Sequence, residues 1–390
     1  MKTILIAWVR PINMQRGGIH RIVNALMEQL PKRGYKCLYL IYKMDMQTFY
    51  VNGEEKEENK LNRVELKDYI VNNHVDIIVD HHSVFTSEFA KMVKSFKLQA
   101  KYVSVYHNSV FLFESIFNWA YYSNIFCQSP SWKMKLGALL RLSVYPLWRV
   151  WSKRNIDRLY QENYKCSDKT VLLSKYEIPY VLARINGADK SRIVSIPNLL
   201  SFPTIENEDI LSHKKKEVLV ISRLYNNEKR IDKVLDIWKN IQERGFTDWQ
   251  LKIVGAGKDE EALKQYAREL NLKNYSFEGR QVAYPYYLSA SIFMMTSRIE
   301  GWGLTLTESM QTGVVPMVWD SYPALKEIIT DGYDGCIIPN NDVVEYANRL
   351  EWLMSHASVR QQIAKNGLIS ARRFEIDKII DLWVNLIESL

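Results

Sequence analysis

Short apolar runs bounded by glycine, proline and polar clusters alternate along the chain with segments whose apolar positions recur every three or four residues. The short runs read as strands and the helix-period segments as the crossovers between them, so the pattern predicts parallel sheets of an α/β fold. In the first half the strands fall at 3–9, 37–41, 77–79, 102–106 and 170–173. Between the first two, Ile22, Val23, Leu26 and Leu30 share one face of a helix over 19–30 that Gly34 ends. A second series starts at 217–222 and continues at 250–254, 275–278, 292–296 and 315–318. The stretch "SIPNLLSFPTIENEDILSHKKKE", rich in polar residues and closed by Lys214, Lys215 and Lys216, predicts a linker between the two series. Domains are therefore expected over 1–200 and 201–372, followed over 373–390 by a helix with Ile376, Ile379, Ile380, Trp383 and Leu386 along one stripe.

Length supports that division: 390 residues, 47% of them apolar, can bury two cores of ordinary size. Charge divides the halves further. Overall Lys and Arg exceed Asp and Glu by 52 to 44, but residues 1–200 hold 29 basic and 17 acidic groups, leaving +12 there and −4 in the remainder. The first half reads either as suited to an anionic partner or as a basic half that is merely solvated. Cys37, Cys127, Cys166 and Cys336 stand far apart, with no paired spacing and no histidine at metal spacing, so they read as reduced thiols. No run reaches the ~18 apolar residues that a membrane span needs, and the apolar start over 3–9 reads as a strand rather than a leader.

Candidate chemistry centres on "RIEGWGLTLTES", residues 298–309. Strand 292–296 would lead into a loop over 298–303 and then a helix over Leu304–Gln311. Gly301 and Gly303 let backbone amides approach a ligand closely, and the helix start at Leu304 and Thr305 adds unpaired N–H groups at a positive dipole end. Together they suit an anion such as a diphosphate. Glu308, about one turn inside that helix, is placed to accept hydrogen bonds from a sugar diol, and Glu300 lies within the loop. No Asp-x-Asp occurs in the chain, which favours chemistry without a metal.

The stretch "EGWGLTLTESMQTGVVPMVWD" with "PALKEIITDGYDGCIIP" resembles the C-terminal signature of glycosyltransferase family 4, retaining enzymes of the GT-B fold, with Ser309 where the family usually has alanine and Trp302 where it has phenylalanine. The resemblance implies two Rossmann-like domains whose parallel sheets face across a cleft, and transfer of a sugar from a UDP- or GDP-linked donor to a hydroxyl without a metal. It implies that Arg223 and Lys229 of "SRLYNNEKR" hold the donor diphosphate and neutralise it as it leaves, that Glu308 takes the ribose, and that Glu300 sits nearer the transferred sugar. Gly17 and Gly18 resemble the family's N-terminal glycine loop closing on the donor. His107, after the strand at 102–106, resembles a histidine facing the sugar, and Gln281 and Val282 border the base pocket.

"GAGKDE" matches part of a dinucleotide fingerprint, but Glu260 occupies the third glycine position, so it carries little weight. Residues 131–161 hold seven Lys or Arg against Asp157 alone, interleaved with Trp132, Trp148 and Trp151, and Pro146 divides two helices. The segment reads either as basic amphipathic helices for a membrane surface or as a solvated face on the first sheet. The expected protein is a cytoplasmic glycosyltransferase of cell-envelope glycan synthesis, with a glycan or lipid-linked acceptor and possible peripheral contact with the inner membrane face. A nucleotide-sugar epimerase or phosphorylase of similar shape would need its own acid-base set or a cofactor lysine, and neither is identifiable in this sequence. A non-catalytic sugar-nucleotide scaffold has less need of Arg223 and Lys229. Nucleic-acid binding through the basic helices would be distinguished by steep salt dependence.

Overall fold

Among the described residues, fourteen strands make two sheets. In chain order they are β1 Thr3–Trp8, β2 Lys36–Tyr42, β3 Phe49–Val51, β4 Lys60–Leu61, β5 Val75–Asp80, β6 Lys101–Tyr106, β7 Lys169–Leu172, β8 Ile193–Ser195, β9 Glu217–Ile221, β10 Gln250–Val254, β11 Tyr275–Gly279, β12 Ile292–Met295, β13 Val315–Trp319 and β14 Cys336–Ile338. This computed structural model describes residues 1–13, 18–81, 87–116, 118–128, 131–205 and 208–390. By internal contact the chain forms two units, one of Met1–Leu199 with Ile376–Leu390 and one of Leu200–Glu375.

The first unit's sheet has the order β4-β3-β2-β1-β5-β6-β7-β8. From β2 to β8 the neighbours are parallel, as the buried apolar runs lead one to expect. The edge departs from that expectation: β3 and β4 pair antiparallel, with Leu40 opposite Val51 and Phe49 opposite Leu61. Phe49 brings its ring into the core, and the short strands cap an edge that a parallel β2 would otherwise leave open. The helix Ile376–Glu388 packs in this unit, burying Ile379, Ile380, Trp383 and Ile387. Arg33 reaches both Asp377 and Asp381 on it, and Tyr35 donates to Glu388 at 2.6 Å.

In the second unit every strand is parallel and the order is β11-β10-β9-β12-β13-β14. Counted from its own first strand this is 3-2-1-4-5-6, the doubly wound order, and the chain reverses direction across the sheet between β9 and β12. Their register, Ile292 against Val218 and Phe293 against Leu219, fixes which loops emerge side by side at that point. Val218, Val220, Ile253, Met294 and Met317 from the strands and Val234, Trp238 and Leu350 from the helices form the core beneath it. Among the described residues, no helix is long and apolar enough to cross a membrane.

Candidate functional site

Ligands in open α/β sheets bind beyond the carboxyl ends of the strands at the switch point, here the loops after β9 and β12. The first loop carries Arg223, Lys229 and Arg230; the second carries Arg298, Glu300 and the glycines. They are tied together before any ligand arrives. Arg298 donates its backbone N–H to the carbonyl of Glu228 at 2.8 Å and its Nε to that of Asn227 at 3.0 Å. Thr296 Oγ1 donates to the carbonyls of Lys229 and Arg230 at 2.9 and 3.0 Å.

Arg230 is the clamp, and sequence reasoning passed over it. It takes the left-handed conformation, φ 50°, ending the short helix Asn226–Lys229 and opening the helix Ile231–Glu243. Its buried guanidinium donates to the carbonyl oxygens of Thr296 at 2.7 Å and Ser297 at 2.9 Å, and to Oδ1 of Asn340 at 3.0 Å, while lying 4.4 Å over the Trp319 ring. Burial, with Arg298 nearby, pulls its pKa down to about 10, so it remains a cation at neutral pH. Left-handed backbone at a non-glycine residue is costly, and these bonds hold it in place. The outcome is that Lys229 Nζ meets Glu300 Oε1 in an ion pair whose side chains are 14% and 20% exposed. Arg223 stands on the exposed side of the loop, 3.1 Å from Glu228.

The "GAG" turn resolves as packing. Gly255, at φ 142°, would place a Cβ 1.8 Å from the carbonyl oxygen of Ser222, and Gly257 would place one 2.4 Å from that of Leu224. The loops after β9 and β10 run backbone to backbone, with Ser222 N–H donating to Val254 O and Leu224 N–H to Ala256 O, both at 3.0 Å. Those glycines set the height of Arg223. A methyl group at Gly255 has to push the loops apart, so Gly255→Ala is expected to destabilise the second unit by about 2 kcal/mol in urea unfolding; an unchanged midpoint would contradict this packing.

After β12, Gly303 is left-handed at φ 89° and caps the helix Leu304–Gln311. A Cβ on it would stand 2.5 Å from the hydroxyl of Tyr322, which donates to the carbonyl of Trp302 at 3.1 Å. Trp302 turns its indole away from the loop, buried edge-on against Phe374 at 5.2 Å, so any contact it makes with a donor runs through its backbone. Gly301, Leu304 and Thr305 are half-buried at the start of the helix, where amides lack intrahelical acceptors. Glu308 is buried one turn in, with Tyr287 O–H donating to its Oε2 at 3.0 Å.

Lys214 supports that pair and was read as linker. Its Nζ donates to the carbonyls of Tyr287 and Thr312, both at 2.7 Å, joining the helix that carries Tyr287 to the end of the one that carries Glu308. Burial pushes its pKa down to about 7. Gln281 lies on the exposed loop after β11, donating to Glu278 O at 3.3 Å, and Val282 beside it is exposed.

In the first unit the sheet reverses between β1 and β5. Gly18 opens the helix Gly18–Gln29 after β1, and Gly17 lies outside the described residues. His107, after β6, is buried and pairs through Nε2 with Nδ1 of His81, after β5, at 2.8 Å. Burial and the His107 charge hold the His81 pKa well below the usual histidine value. No third metal-type ligand joins the two among the described residues.

The sheet orders and the two units define the GT-B class, and comparison agrees. HepE from Anabaena, solved in complex with UDP, superposes over 100% of both chains with a TM-score of 0.67 at 14% identity. Residues 202–369 match the family "Glycosyl transferases group 1". The amylovoran biosynthesis glycosyltransferase AmsD of Erwinia amylovora is 24% identical over 234 residues, 57% of this chain and 63% of that one. The GalNAc-alpha-(1->4)-GalNAc-alpha-(1->3)-diNAcBac-PP-undecaprenol alpha-1,4-N-acetyl-D-galactosaminyltransferase of Campylobacter jejuni is 27% identical over 178 residues, 45% of this chain and 48% of that one. The chain thus spans between about half and just under two thirds of the length of these curated relatives.

Proposed function

We propose that the protein is a glycosyltransferase that moves a sugar from a UDP- or GDP-linked donor to a hydroxyl of a cell-envelope glycan or its lipid-linked precursor, on the cytoplasmic side, with retention. The observation that carries the reading is the Lys229–Glu300 pair set at the switch point beside the N-terminus of the helix Leu304–Gln311. Departure of a nucleoside diphosphate needs positive charge already in place, and Lys229, Arg223 and the helix-start amides provide it. Glu308, held by Tyr287, accepts the ribose hydroxyls. Glu300 faces the transferred sugar. The relatives' names support an envelope glycan as acceptor, and the UDP complex of the Anabaena structure supports a uridine donor.

The test is a screen of UDP-, GDP- and ADP-sugars for slow hydrolysis, followed by assignment of the released anomer. Hydrolysis of a UDP- or GDP-sugar with net retention is the expected result; absence of turnover and of nucleoside diphosphate binding by calorimetry would reject the reading. Activity is expected to be unchanged in chelator, because the charge compensation comes from side chains. Loss that manganese restores would contradict that assignment.

A further inference from the structure

The chain between β6 and β7 contains far more than one crossover helix: Trp119–Gln128, Trp132–Ser143 and Tyr145–Cys166 follow one another there. Pro146 sits in the first turn of the last, where its missing N–H costs nothing. Only the far end of that long helix enters the core, through Ile156, Tyr160 and Tyr164. The near end is held by an aromatic knot. Trp148 Nε1 donates to Tyr122 O–H at 3.0 Å, and the Arg141 guanidinium lies 4.9 Å over Trp148 and 5.8 Å over Tyr122.

What this knot holds up is apolar and wet. Of the 24 exposed large apolar side chains among the described residues, 11 lie between 119 and 151. Trp132 is 67% exposed, Leu140 60% and Leu147 73%. The apolar stripe the sequence implies is present in Trp132–Ser143, but it is turned to solvent rather than packed on the sheet. In Trp132–Ser143 only Ala138 is buried, and Trp132, Leu136, Leu139 and Leu140, spaced i, i+4, i+7 and i+8, form one exposed stripe. An apolar stripe left in water is unusual for a helix, and a patch of this kind marks an interaction surface.

We infer that the tip formed by these three helices inserts into the surface of an anionic lipid bilayer. Charge selects that occupant over a protein. Lys133, Arg149, Lys153 and Arg154 surround the apolar residues in exposed positions and make no ion pair among the described residues. Asp157, the one acid of residues 131–161, is already taken by Arg184 at 2.6 Å. The tip therefore presents cations around tryptophan and leucine with no free acid. Lysine and arginine stems reach back to headgroups while the apolar side chains enter the acyl region. The inference is independent of the donor reading, since no residue of the switch point takes part.

The experiment is co-sedimentation of the full chain with vesicles of phosphatidylglycerol and phosphatidylethanolamine, beside phosphatidylcholine alone, with tryptophan emission recorded. Binding to the anionic vesicles with a blue shift is expected. Changing Arg149, Lys153 and Arg154 together to Gln should weaken binding about 100-fold. Changing Trp132, Leu140 and Leu147 together to Ser should abolish both the binding and the shift. Hydrolysis of donor without vesicles should be the same in all three proteins, which separates this result from a failure of the proposed activity. Failure of the full chain to bind anionic vesicles would overturn the inference, as would binding unaltered in both variants. So would a dimer that the Ser variant dissociates without any lipid binding, because a second copy would then cover the patch.

Discussion

Replacing Lys229 with alanine is expected to lower sugar transfer at least ~100-fold, about 2.7 kcal/mol of transition-state stabilisation, mostly in kcat. The ammonium already stands against Glu300 in a site where both side chains are largely shielded from water. A cation kept there pays little reorganisation when charge grows on the leaving phosphate. Removing it has a second effect, since Glu300 is left half-buried without its partner. A double-mutant cycle separates the two. Because Glu300 is itself placed at the sugar, the cycle is read on unfolding as well as rate: Glu300→Gln in the alanine background should restore the urea midpoint while transfer stays low. Near-normal transfer by a folded Lys229→Ala protein would remove the residue from the site.

Glu308→Ala is expected to cost a similar ~100-fold, but through the donor's ribose rather than the leaving bond. Glu308 is buried and its carboxylate accepts from Tyr287, so the alanine variant also removes that hydrogen bond and leaves the hydroxyl its longer one to the carbonyl of Thr305 at 3.3 Å, at about 1 kcal/mol of stability. Tyr287→Phe provides the control. It deletes the same hydrogen bond while keeping the carboxylate, and is expected to reduce activity only a few-fold. Equal losses in Glu308→Ala and Tyr287→Phe would show that the carboxylate matters for packing and would sink its role as a ribose ligand.

Long apolar strands were legible because burial on both faces leaves a continuous run, and 250–254 coincides with β10. Strands β3, β4, β8 and β14 were not, being two or three residues long and fixed by their neighbours. Phe49 to Val51 shows no alternation that would separate it from a loop; its strand exists because β2 offers a free edge. The motif residues of the second unit were visible one by one. What sequence left hidden is how they are held: Lys229 and Glu300 are 71 positions apart, and Arg230 reads as one more charge in a basic run. Lys214 looked like linker because a lysine triplet is usually solvated, whereas two carbonyls draw its ammonium inward. The glycines of "GAG" looked like part of a nucleotide fingerprint, and the space they leave is filled by protein backbone.

The place of the helix Ile376–Glu388 in the first unit bears on biosynthesis. The second unit is continuous in sequence and can acquire its whole core while the chain is still being made. The first unit waits for its last thirteen-residue helix, without which Trp383 and Ile380 leave a gap beside strands completed long before. A chain cut after residue 375 would therefore carry a complete second unit and an unfinished first one, the species most exposed to chaperones and proteases.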